Sequence, residues 1–189
     1  MNEDKLQRML SPERMARIDG EKLMERMDLK DGETVADAGA GPGAFALRFA
    51  KALPNGKVYA VDIDAPLLRM IEARAAEAGI GNIQTVNALN LDIPAETLDK
   101  VFCCTVLHEV AEKEAFIAAY YRLLKPAGKV FIAEFSSGRR TLDEDDTVRR
   151  TFIAPERTEQ LLGQAGFISA KTETINPLIY LTTAEKPEE

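Results

Sequence analysis

The feature that most limits what this chain can fold into is an alternation. Short, almost continuously apolar runs are separated by stretches with helical spacing. The runs are Thr34 to Ala38 (TVADA), Lys57 to Val61 (KVYAV), Ile83 to Val86, Lys100 to Val106 (KVFCCTV) and Lys129 to Phe135 (KVFIAEF). A strand that is apolar at successive positions is buried on both faces, and helices between such strands supply the cover. The alternation therefore predicts a doubly wound, mostly parallel α/β sheet with helices on both faces. The helical stretches are the segment of Phe45, Leu47, Phe49 and Ala50, then Leu67 to Ala78 with Leu68, Ile71 and Ala75 on one face, Glu112 to Leu124, and Pro155 to Ala165. Phe45, Leu47 and Phe49 are expected in the core. Phe167 to Thr174 and Leu178 to Thr183 flank Ile175-Asn176-Pro177 and predict a closing hairpin.

Ahead of the first run, Ser11-Pro12-Glu13 and Asp19 each read as a helix start, with proline suited to the first helical position. Two short lead-in helices follow from this. Between Ser136 and Ile153 the alternation gives way to the charged segment SSGRRTLDEDDTVRRTFI, and the EKPEE terminus is expected to fray. Arg139, Arg140, Arg149 and Arg150 flank Asp143 to Asp146 there. That segment reads as a solvated, self-paired loop or as a substrate lid.

A chain of 189 residues fits one domain. Its net charge of −7 comes from 24 basic and 31 acidic side chains and, with no basic patch, argues against nucleic acid and anionic lipid as partners. Two adjacent cysteines inside one apolar run, Cys103 and Cys104, give neither a disulfide framework nor a zinc cluster, and read as small core residues in a reducing compartment. No segment resembles a signal peptide or a membrane span. A cytoplasmic location is the expectation.

Gly39-Ala40-Gly41-Pro42-Gly43 joins the first strand to the helix after it. At this place a doubly wound sheet presents backbone amides and a helix start to a ligand. Asp62 ends the second strand, where a carboxylate accepts from ribose hydroxyls. Asp64 is the better candidate for capping the next helix. A nucleoside-containing cofactor follows, but Gly39, Gly41 and Ala44 also satisfy the dinucleotide form of the loop. Asp37, two residues before Gly39, is placed to face a ligand's ammonium group or to hold loop amides.

VADAGAGPG followed by VYAVDID resembles the first two motifs of the class I S-adenosylmethionine-dependent methyltransferases. NALNLDIPAETLDKVFCCTVLHEV, YYRLLKPAGKVFIAEF and LLGQAGF are similar to that family's later strand regions, so the likeness runs from about Asp28 to Thr183. It is nearest to the small methyltransferases of ubiquinone and menaquinone C-methylation. The resemblance implies a Rossmann-like seven-stranded sheet of order 3-2-1-4-5-7-6 with strand 7 antiparallel, and S-adenosylmethionine as cofactor, released as S-adenosylhomocysteine. It puts the methionine end near Asp37, Gly39 and Gly41, the ribose on Asp62, Ile63 beside the adenine, and Asn87 and Ala88 at the adenine amino group. Ala40, Gly43, Leu89, Cys104 and Thr105 complete the implied cofactor-binding set. Asn87 departs from the family's commoner aspartate.

His108 is the single histidine. It follows the fourth apolar run at the edge where ligands bind, so it is a candidate general base or substrate ligand, and equally a packing and capping residue. Glu109 and Glu134 are the comparable candidates, and no metal ligands are expected. The place after the fourth run lacks the proline-rich aromatic motif of enzymes that methylate base nitrogens, and the cysteines do not fit arsenite methylation. No carboxylate cluster fits metal-dependent catechol methylation either.

Expected, then, is methyl transfer by in-line displacement to a small-molecule acceptor by a monomer or homodimer. The alternatives are a nicotinamide-dependent oxidoreductase and a non-catalytic S-adenosylmethionine-binding module. The expected organisation of residues 1–189 is a helical cap at 1–30, a cofactor-binding core at 31–135, the charged loop or lid at 136–157, and a C-terminal helix and hairpin at 158–189.

Overall fold

The computed structural model describes residues 3–136 and 152–189. The charged segment expected as a loop or lid lies, from 137 to 151, outside the described residues. Strands β1 (Thr34–Ala38), β2 (Lys57–Asp62), β3 (Ile83–Asn87), β4 (Leu98–Cys104), β5 (Leu124–Phe135), β6 (Ile168–Asn176) and β7 (Ile179–Glu185) form one sheet of order β3-β2-β1-β4-β5-β7-β6. The pairs within β3-β2-β1-β4-β5 are parallel, whereas β7 runs antiparallel to both β5 and β6. The expected order and the closing hairpin are both present.

Helices α1 (Glu3–Leu10), α2 (Pro12–Arg17) and α3 (Gly20–Met27) precede the sheet, and α4 (Ala46–Ala52), α5 (Ala65–Glu77), α6 (Lys113–Leu123) and α7 (Pro155–Gln164) connect its strands. Three helices, not two, therefore lead in. Ser11 accepts from the Arg14 amide and Asp19 from the Lys22 amide, as the two start signals require. Asp64 caps α5 by accepting from Leu67, and Leu68, Ile71 and Ala75 turn inward.

Two apolar layers sandwich the sheet. One joins Phe45, Leu47 and Phe49 to Phe102 and Phe131; the other holds Tyr59, Val101, Cys103, Ile117 and Leu161. The rings of Phe45 and Phe102 lie 4.7 Å apart, and those of Phe49 and Phe102 meet edge to face at 5.4 Å. This packing fixes α4, and with it the glycine turn, against β1 and β4.

The terminus does not fray where expected. The Lys186 amide donates to Gly128 at 2.8 Å and its Nζ to the Leu124 carbonyl at 2.8 Å, which ties the chain's end to the start of β5. Strand β5 also begins earlier than the sequence suggests: Leu124 already pairs with Leu98, and the register shifts between Leu98 and Lys100. Pro126 and Gly128 mask that opening half, because both residues read as turn formers.

Candidate active site

The carboxyl ends of β3, β2, β1, β4 and β5 form one continuous edge, and the predicted residues fall along it. Gly39 (φ 79°), Gly41 (φ 55°) and Gly43 (φ 84°) all adopt left-handed backbone, so the turn needs glycine at alternate positions. A Cβ on Gly39 would fall 2.4 Å from Val106 Cγ2, and one on Gly41 would fall 2.8 Å from Met9 Cε.

The loop's amides are not bare, contrary to expectation. Gly39 and Ala40 both donate to the Val61 carbonyl at 2.8 and 2.9 Å, and Gly43 donates to Ala40 at 2.9 Å. Gly41 donates to Asp62 Oδ2 at 2.7 Å. Pro42 has no amide to offer. The glycines shape the turn and let a ligand approach closely, but the amides serve the protein itself. Asp62 is thus a loop acceptor; its other oxygen takes the Asp64 amide at 2.9 Å. A carboxylate has about four lone-pair sites, so acceptor capacity remains for hydroxyls.

Asp37 is the unusual group. It is 3% exposed, and among the described residues its Oδ2 is the one fully buried side-chain oxygen or nitrogen without a hydrogen-bond partner. Burial pushes its carboxyl up to about 7. The Ala46 amide acts against that rise, Asp62 adds to it, and Arg14 opposes it. Two carboxylates beside a loop with spent amides disfavour a diphosphate and favour a cation. The edge therefore fits an ammonium or sulfonium ligand better than a dinucleotide.

Arg14 and Met9 are site neighbours that sequence reasoning did not find. Arg14 Nη2 donates to Thr105 Oγ1 at 3.0 Å across 91 residues of chain, and Thr105 itself has φ 56°. No local signal marks a contact between the second lead-in helix and the end of β4. On the outer part of the edge, Asp62 and Asn87 are register partners, and Ile63 and Leu89 are 68% and 85% exposed. Ala88 is half-buried, at the start of the 3₁₀ turn Ala88–Asn90. Asn87 Oδ1 accepts from the Leu89 amide at 2.9 Å, which turns its carbonyl oxygen to the backbone.

On the other side, His108 and Glu134 are both buried and pair at 2.7 Å through Nδ1, while Glu109 is exposed with Oε1 3.8 Å from His108 Nε2. Cys103 and Cys104 are buried core residues. Burial holds both thiols well above the ordinary range, Cys104 at about 12, so neither is a thiolate nucleophile. Among the described residues no three His, Cys, Asp or Glu side chains are grouped to hold a metal ion, and no helix is long and apolar enough to cross a membrane.

Comparison with known proteins agrees with this geometry. The family model described as a methyltransferase domain matches residues 35–128. A ubiquinone/menaquinone biosynthesis C-methyltransferase of Escherichia fergusonii is 35% identical over 112 residues, covering 57% of this chain and 45% of that protein. A demethylmenaquinone methyltransferase of a Geobacillus species is 30% identical over 119 residues, covering 61% and 51%. The chain thus spans about half the length of the curated relatives it matches. In fold, a SAM-dependent methyltransferase from Aquifex aeolicus superposes with a TM-score of 0.87 at 22% identity, covering 98% of both chains. The glycine turn, the acidic residues around it, the strand order and the domain match lead to one conclusion: this chain belongs to the class I S-adenosylmethionine-dependent methyltransferase family.

Proposed function

We propose that the protein transfers a methyl group from S-adenosylmethionine to a small-molecule acceptor. The observation that carries this reading is the buried Asp37 carboxylate with one oxygen unpartnered beside the glycine turn. A buried polar atom without a partner costs about 1–3 kcal/mol, and a ligand ammonium removes that cost where a phosphate adds to it. The residues present fit the cofactor.

In this reading Asp37 receives the ammonium, and Gly39, Ala40, Gly41 and Gly43 give the methionine end close backbone contact. Asp62 takes the ribose hydroxyls with its remaining lone pairs. Ile63 and Leu89, both exposed apolar side chains, flank the adenine, with Ala88 beneath it and the Asn87 amide nitrogen at the ring edge. Cys104 and Thr105 form the floor near the methyl group. Bound there, the cofactor supplies an activated methyl with its own leaving group. The chain's task is then to align the acceptor in line, keep water out and move a proton where the acceptor carries one.

The lead-in helices serve in this account as a cap, through Met9 against Gly41 and Arg14 on Thr105. The names of the relatives make a reduced quinone the first acceptor to assay. Free buried thiols fit a reducing, cytoplasmic setting.

Isothermal titration tests the reading. S-adenosylmethionine should bind and NAD should give no heat; NAD binding with no response to S-adenosylmethionine would reverse the assignment. Binding without turnover across an acceptor panel would identify a cofactor-binding module instead.

A further inference from the structure

Cofactor binding leaves the His108–Glu134 pair unexplained. Glu134 sits in the apolar end of β5 and is 1% exposed, yet both of its oxygens serve one residue. Oε1 accepts from the His108 amide at 3.2 Å, and Oε2 lies 2.7 Å from His108 Nδ1. Taking a carboxylate out of water costs several kcal/mol unless its surroundings compensate. A cap for one backbone amide does not require that charge, since a glutamine oxygen would accept the same bond.

What the charge adds is control of the ring. A carboxylate only accepts, so Nδ1 must carry the proton, and Nε2 is left with its lone pair. The ring lies edgewise to Phe135, with centroids 5.9 Å apart, which holds its plane. Among the described residues Nε2 has no hydrogen-bond partner; the nearest ionised group is Glu109 Oε1 at 3.8 Å, on an exposed side chain. Cys103, Cys104 and Tyr180, the other groups whose titration Glu134 influences, are held protonated by burial. Val106, two residues before His108, packs where a Cβ on Gly39 would sit. The imidazole thus stands at the glycine-turn end of β4 with a fixed tautomer.

We infer that His108, oriented by Glu134, takes the proton that the methyl acceptor loses, and that the acceptor is a hydroxyl, amine or acidic carbon compound bearing such a proton. This rests on the methyl-transfer reading above. In the step, the acceptor atom forms a bond to the methyl carbon as the methyl–sulfur bond breaks, and sulfur keeps that electron pair. The proton on the acceptor passes to Nε2, giving an imidazolium paired with Glu134. Glu109, on the solvent side, then hands that proton to water. His108 is the catalytic residue here, and Glu134 is a positioning residue.

The single histidine makes the test direct, because a tag-free chain labelled with ¹⁵N-histidine shows one imidazole. At mildly alkaline pH the wild type should show a protonated Nδ1 and a bare Nε2. Glu134→Gln should reverse this, because the new amide donates to Nδ1. With a prenylated naphthohydroquinone as acceptor, His108→Asn and Glu134→Gln should each slow single-turnover transfer by about 100-fold or more while S-adenosylmethionine affinity by calorimetry stays within about threefold. A wild-type proton on Nε2, or undiminished transfer in Glu134→Gln, overturns the inference. Where the wild type methylates no acceptor, the tautomer pair decides. Failure of the wild type to bind S-adenosylmethionine removes the functional reading beneath it and is recognised separately by the calorimetry.

Discussion

The two edges of the sheet are built on opposite rules. At the amino edge the buried and half-buried charges of Lys100, Glu33 and Asp99 are paired. Lys100 Nζ, on a side chain 10% exposed, donates to the Asp28 carbonyl at 2.7 Å and to Glu33 at 2.8 Å. Asp99 accepts from the Thr34 amide at 2.8 Å and from Lys125 at 2.7 Å. At the carboxyl edge, Asp37 keeps an unpartnered oxygen, Thr105 is in left-handed backbone, and Ile63 and Leu89 stand exposed. Unmet polarity and exposed apolar side chains at one end, against paired charges at the other, set the two edges apart.

That contrast is breakable in order of size. Lys100→Ala strands Glu33 and a carbonyl and should cost about 2–3 kcal/mol by chemical unfolding, while leaving S-adenosylmethionine affinity unchanged. Asp37→Asn should do the reverse: affinity by calorimetry falls about 100-fold, the loss of a charge-assisted bond of about 2–3 kcal/mol, while thermal stability holds or rises. Equal loss of stability from both would erase the distinction. Asp62→Ala is intermediate, weakening binding by about 1–3 kcal/mol and also freeing the Gly41 and Asp64 amides, so a small drop in stability should accompany it. Leu89→Ser, at an 85% exposed site, should leave stability unchanged and weaken binding by under about 1 kcal/mol.

The sign of the pH effect sharpens the same comparison. Burial raises the Asp37 carboxyl from 3.8 to about 7 in the folded protein. The folded state therefore holds that proton more tightly than the unfolded chain does. Its stabilising contribution is complete below about pH 4 and is lost as pH rises through about 7. Asp37→Asn should remove this decline, so the mutant's stability relative to wild type grows over that window and then levels off. Cofactor affinity should run the other way, rising with pH until about 7, because an ammonium ligand must displace the proton.

Much of the fold was legible because period and composition report burial directly. Thr34–Ala38 is the strand the run predicts, and Asp19 and Asp64 cap helices as their positions suggest. Strand β5 was half hidden by Pro126 and Gly128, whose turn propensity is overridden by pairing with β4. Helix α1 is eight residues long and mostly charged or polar, so its apolar positions Leu6, Met9 and Leu10 are too few to stand out as a periodic stripe. At the site, residue types were readable but their partners were not. The glycine amides satisfy Val61 and Asp62, and Arg14 reaches Thr105, through contacts between segments far apart in the chain. Such contacts leave no periodic trace. The same holds for Asp37, whose distinguishing property is the absence of a bond.

The most direct test is titration of S-adenosylmethionine into wild type and Asp37→Asn at a pH about one unit below 7, in buffers of differing ionisation enthalpy. If Asp37 receives the ligand ammonium, wild-type binding releases close to one proton per site, and the mutant binds far more weakly with no release. Equal affinity in the two proteins, with no proton released by either, would contradict the account.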